Sequence, residues 1–249
     1  MPVKLAAKMG LFQCVAWVFL GLTFVGCQGG KTSPLTGRPA TSAIKSVVVV
    51  GFSPAMGQNE VPDIIRSQVT GSAFLAQPVS VQVTTMMTDE LWGQLIKDRR
   101  WKMVPPGQAR GVFENILGSD EKMGMGALEI IEEVGKTFGT DAVLGGNVFR
   151  WRDRRGSDYA VDVPASVAFD LWLVRTSDGA VLWKGSFDKT QQSLMENLFD
   201  YSTFADSNGK WLTAEKLAMI GLEKLLAQMP GAPVKEAEKS AKKTEEGDN

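Results

Sequence analysis

The 249-residue chain has no histidine and only two cysteines, Cys14 and Cys27. Without an imidazole, no base is available to a Ser–His–Asp or Cys–His nucleophile. His-ligated zinc, copper and non-haem iron are excluded as well. So few thiols also rule out thiolate metal sites and Fe–S clusters. A charge excess is lacking too: 27 basic residues face 28 acidic ones, a formal net of −1, so no nucleic-acid partner is expected. No cofactor is implied; "MGMGA" (123–127) is too short for a dinucleotide fingerprint and follows a polar stretch, not a strand. What survives for catalysis is a carboxylate pair across a cleft. Glu129, Glu132 and Glu133 fall on the polar side of an expected helix, and Asp89 and Glu90 fit a helix start. Asp170 stands mid-strand with no partner acid at an assignable spacing. The expectation is a protein that is not an enzyme.

The amino-terminal residues are organised as a targeting segment. "MPVKLAAK" supplies Lys4 and Lys8 and no acid, and "MGLFQCVAWVFLGLTFVG" follows as an apolar run ending in Gly26. That run is close to the roughly 18–20 residues that span a bilayer, so an uncleaved anchor is the rival reading. Cys27 decides between them. Phe24, Val25, Gly26 and Cys27 resemble the lipobox of bacterial lipoproteins, with Phe24 in place of the commoner Leu. The resemblance implies a signal peptide over 1–26, cleavage before Cys27, and attachment of Cys27 to membrane lipid through acyl chains. Each buried CH₂ then contributes roughly 0.8 kcal/mol to anchoring. Gln28 stands where an Asp would favour the inner membrane in Gram-negative lipoproteins, so the resemblance implies the outer membrane, facing the periplasm.

Residues 27–43, rich in Gly, Pro, Ser and Thr, form an acylated flexible tether. At roughly 3.3–3.6 Å per residue it reaches up to about 50 Å from the lipid. Residues 230–249 mix Lys and Glu with almost nothing apolar and are expected to be a disordered charged tail. The periplasmic domain is then 44–229.

Within it, "SVVVVGF" (46–52) has the β-branched run of a strand buried on both faces. Residues 53–83 are poorly periodic, which predicts a long loop with a short helix near Ile64. The stripe Met87, Leu91, Leu95 predicts a helix over 84–98. "WKMVPP" (101–106) is a short strand stopped by prolines. Leu128, Ile131, Val134 and Phe138 predict a helix over 126–139, ended by Gly139. Strands follow at 140–151, 166–176 and 180–190, the last two joined across "SDG" as a hairpin. Leu217, Leu222, Leu225 and Met229 predict a closing helix over 213–229. The order β-α-β-α-β-β-β-α makes this an α/β protein: a layered mixed β-sheet with flanking helices, preceded by the lipoprotein signal peptide.

Gly139, Asp141, Leu144, Gly145, Asp178, Gly179 and Trp183 carry a further resemblance. A helix ending in Gly, then Asp-Ala-Val-Leu-Gly, then a long hairpin closed by "TSDGAVLWKGSF" resembles envelope proteins with the TolB amino-terminal type of fold. That group includes the curli-secretion lipoproteins and the lipoprotein activators of penicillin-binding proteins. The resemblance implies a domain that works by binding a protein partner.

Two features are candidates for that contact. "FRWRDRR" (149–155) places Arg150, Trp151, Arg152, Arg154 and Arg155 together, fit to grip an anionic partner. The alternative is a solvated hairpin tip whose arginines guard a strand edge. Trp172 lies on the strand face opposite Val167, Phe169, Leu171 and Leu173, either under a helix or in a docking patch. Residues 191–211 would cover that face or form a recognition loop. The leading expectation is a lipid-anchored adaptor that binds an envelope protein and supports a cell-wall or secretion machine. The alternatives are an oligomeric subunit of an outer-membrane secretion pore, which makes a homo-oligomer, and, third, a carboxylate-dependent hydrolase.

Overall fold

A computed structural model describes residues 44–99, 101–118, 124–157, 161–191 and 211–230. The signal peptide, the tether with Cys27, residues 192–210 and the tail from 231 lie outside the described residues.

In chain order the strands are β1 (Ser46–Pro54), β2 (Asp63–Arg66), β3 (Ala73–Ala76), β4 (Lys102–Val104), β5 (Ala142–Arg152), β6 (Arg155–Gly156), β7 (Val161–Val163), β8 (Ser166–Arg175) and β9 (Val181–Thr190). The helices are α1 (Val81–Asp98), α2 (Pro106–Leu117), α3 (Ala127–Phe138) and α4 (Ala214–Gln228). Five strands build the main sheet in the order β4-β1-β5-β8-β9. β1 runs parallel to β4 and β5, whereas β8 is antiparallel to both β5 and β9. The sheet is mixed and layered by helices, as the sequence predicts.

Both faces are covered. On the first, α1 and α4 bring Met87, Leu91, Leu217 and Leu222 onto Val47, Val49, Phe169 and Leu171. On the second, α2 and α3 cover Val48, Val143, Trp172 and Val174 with Ala109, Ile131 and Val134. The alternation along β8 sends Val167, Phe169, Leu171 and Leu173 to the first face and Trp172 and Val174 to the second. Along β9 the alternation breaks: Leu173 pairs with Trp183 but Val174 with Val181, which leaves Leu182 extra. Val181 therefore joins the second core while Trp183 and Phe187 join the first, not the single face that strict alternation gives.

Local chemistry sets the element ends. Gly139 ends α3 with φ +60°, in the left-handed region glycine enters without penalty. Thr213 caps α4, its Oγ1 accepting from Lys216 N at 3.3 Å. Ser80 caps α1, which starts three residues before the predicted 84.

Three segments differ from expectation. Residues 53–83 are not a loop with a helix at Ile64: Ile64 lies in β2, which pairs antiparallel with β3. A helix not anticipated, α2, begins directly after Pro105, a position where the missing N–H and fixed φ of proline are harmless. The Arg-rich run is not a free tip: β5 extends through Arg152, and Arg155–Gly156 pair with β7.

Candidate functional site: an anchored hairpin and its groove

An isolated two-stranded hairpin is marginal in water. β2–β3 is instead pinned onto the second face of the sheet beside α2 and α3. Its inner residues Phe74 and Ala76 join Met56, Phe149 and Ala168 in a small core of their own. Phe74 stacks on Phe149 with centroids 4.1 Å apart and planes 23° from parallel, an aromatic pairing worth about 0.5–1.5 kcal/mol. Gln77 N donates to Phe149 O at 2.7 Å, which continues the attachment beyond β3.

Polar ties hold the turn. Gly71 takes φ +76°, and Ser67 N donates to Ser72 O at 2.8 Å to close the loop. Thr70 Oγ1 donates to Asp170 Oδ2 at 2.9 Å, while Asp170 Oδ1 accepts from Asn147 N at 2.9 Å. Lys184 Nζ donates to Thr70 O at 2.7 Å, and the hydroxyls of Ser72 and Ser186 lie 2.8 Å apart. Asp170 is fully buried, and burial pushes its carboxyl up, opposed by hydrogen bonds from Ser67, Asn147 and Thr70. Both oxygens of Asp170 are thus taken up, Oδ2 by the hairpin turn and Oδ1 by β5.

Arg150 is the second strut. Its Nη1 donates to Leu75 O at 3.1 Å, its Nε to Ser166 Oγ at 2.7 Å, and its Nη2 pairs with Asp188. One buried guanidinium so joins β3, β5, β8 and β9, and pairing is what allows a charge to be buried there.

With Phe74 and Ala76 facing inward, the opposite face of the hairpin points outward. Ile64 and Leu75 are cross-strand partners on that face, 71% and 51% exposed, and Val61 just before β2 is 80% exposed. Beside the hairpin lies a groove of about 320 Å³. Asn147, Phe149 and Trp172 line it from the sheet, Ile65 and Val69 from the hairpin, and Ile130 from α3. The indole N–H of Trp172 is buried without a hydrogen-bond partner.

The six residues expected to bind a partner do not form one patch. Arg150 is buried and bonded internally, so it cannot grip an anion. Trp172 is 5% exposed because the second-face helices cover it, so it is no surface docking patch. Trp151 is half-buried against the first core, on the other side of the sheet. Arg152 is half-buried, its Nε reaching Pro164 O at 3.4 Å; Arg154 is half-buried, and Arg155 is exposed. Cys27 lies outside the described residues. Sequence reasoning missed Thr70, Ile64 and Leu75. The apolar doublets Ile64–Ile65 and Phe74–Leu75 on either side of "SQVTGS" are the signal that would have found them. Among the described residues there is no cluster of acids and cysteines suited to a metal ion, and no helix long and apolar enough to cross a membrane.

No family model matches the chain, and neither does any curated protein. Among solved structures it is similar to Lipoprotein GNA1162 from Neisseria meningitidis, at 19% identity over 66% of this chain and 96% of that one, with a TM-score of 0.36. It is similar to the PelC dodecamer from Paraburkholderia phytofirmans, at 17% identity over 76% and 88%, TM-score 0.36. The C-terminal domain of LpoB from Salmonella enterica follows at 13% over 59% and 83%, TM-score 0.33. One of these neighbours is itself named as a lipoprotein.

Proposed function

We propose that the protein is a lipid-anchored, periplasm-facing adaptor of the outer membrane that binds another envelope protein and performs no catalysis. Acylated Cys27 and the tether hold the domain near the membrane, and the outward face of β2–β3 receives the partner. The observation that carries this reading is the Ile64–Leu75 pair, exposed on a hairpin that is fixed at its turn and along β3. An exposed apolar pair adds little to folding, whereas burying it against a partner removes apolar surface from water. Rigid attachment supports the same reading, because a preorganised surface loses little conformational freedom on binding.

The test is the double variant Ile64→Ser, Leu75→Ser, affinity-purified from solubilised envelopes beside the parent and quantified by isotope-labelled mass spectrometry. Stability is expected to change by no more than about 1 kcal/mol, about 0.5 for each exposed site. Recovery of at least one envelope protein should fall by about tenfold, the equivalent of 1.4 kcal/mol. Unchanged recovery of every co-purifying protein would overturn the proposal.

A further inference from the structure

On the opposite side of the sheet from the hairpin, α1 and α4 leave a second groove, about 620 Å³, between their amino-terminal halves. Its apolar lining is Val81, Met86 and Met219, and Val81 is 58% exposed. Its rim is acidic: Asp89 and Glu90 on α1 face Glu215 on α4. Glu90 accepts a hydrogen bond from Gln94 Nε2 at 2.9 Å. Asp89 and Glu215 are exposed and pair with no basic side chain among the described residues. Farther along α1, a Cβ at Gly93 would meet nothing within 4 Å, and Ile96 is exposed. Asp89, Gly93 and Ile96 are spaced i, i+4, i+7, so one open stripe of α1 runs on from the groove.

We infer that this groove is a docking site for a basic amphipathic helix of a partner protein. The space between two helices receives the apolar face of a third. Unbranched, polarisable methionines adapt their shape to such a face. The acidic rim decides the charge of the occupant: lysines or arginines flanking the apolar stripe would meet Asp89, Glu90 and Glu215, whereas an anionic lipid surface or an acidic segment would be repelled. The site is separate from the hairpin and does not depend on it.

The test uses the full chain in phosphatidylcholine nanodiscs, labelled with ¹³C at the methionine methyl groups. The probe is a short helical peptide made only of leucine and lysine, with its leucine–glutamate counterpart as control. The lysine peptide should shift the Met86 and Met219 methyl signals and the glutamate peptide should not. Asp89→Lys combined with Glu215→Lys should weaken binding by about tenfold or more, since like charges across an interface oppose association. Should that pair disturb folding, Asp89→Asn with Glu215→Gln removes the charge alone, and a smaller loss in the same direction is expected. The inference is overturned if both methyl signals stay in place, if the charge-reversed variant binds as the parent does, or if the glutamate peptide binds equally well. Methyl shifts that follow protein concentration and ignore the peptide would also overturn it, because they would mean that a second copy fills the groove. None of these outcomes bears on the hairpin, whose test reads Ile64 and Leu75.

Discussion

Thr70 and Asp170, one hundred residues apart, are joined by a 2.9 Å hydrogen bond that fixes the turn of a surface hairpin to the middle of the sheet. Asp170 also accepts from the backbone of Asn147, so one carboxylate orders β8, β5 and the hairpin turn together. Replacing Asp170 by Ala leaves Thr70 and the Asn147 N–H without their partner. Such a loss costs on the order of 1–3 kcal/mol for each buried group left unsatisfied. The expected result is a lowered urea midpoint and faster amide exchange over 63–76, with the exchange of α4 changed least. Exchange that rises equally everywhere would show that Asp170 supports the core and not the hairpin in particular.

Two carboxyls make opposite predictions for acid stability. Burial raises Asp170, so its native form holds a proton more tightly than the unfolded chain does. Its stabilising contribution is present below the unfolded value of about 3.9 and is lost as pH rises through the raised native value. Asp141 is lowered, chiefly by the N–H groups of Lys45 and Ser46, which both donate to Oδ2 at 2.9 Å. Its contribution is present above about 3.9 and is lost as pH falls through the lowered native value. Urea midpoints should therefore show Asp170→Asn gaining on the parent as pH rises above about 4, and the deficit of Asp141→Asn shrinking below about pH 4. Curves that run parallel to the parent would contradict both.

Two glycine-to-alanine changes separate packing from backbone entropy. A Cβ at Gly146 would run into the carbonyl oxygen of Asp170 and approach the Phe52 ring to 2.7 Å. Neither can retreat far, and the expected loss is about 1–3 kcal/mol or more. A Cβ at Gly93 in α1 would meet nothing within 4 Å. Gly93→Ala should stabilise by about 0.4–1 kcal/mol, through the unfolded chain. Denaturant midpoints for the two variants should move in opposite directions.

The fold was legible where one local rule acted alone. Gly139 and the "SDG" turn marked their elements, and the sheet layers followed from alternation in β8. Helix α2 was hidden by the proline pair at 105 and 106, which reads as a stop and here begins a helix. The hairpin was hidden for a different reason. A half-buried strand shows period-two alternation, but Ile64 beside Ile65 and Leu75 beside Phe74 make both faces apolar. The residues that blurred the strand signal are those now proposed to meet the partner, and conflicts between local pattern and fold gather at functional sites. The Arg-rich run misled in the opposite direction. Its composition suggested an exposed grip, whereas Arg150 is buried by partners in β3, β8 and β9 that are distant in sequence.

The most direct test of the adaptor reading is photo-cross-linking in intact cells, with a photo-reactive residue at Leu75 on the hairpin and another at exposed Glu114 on α2. One dominant envelope protein is expected to be captured through position 75 and not through position 114. No adduct at position 75, or the same adducts at both positions, would contradict it.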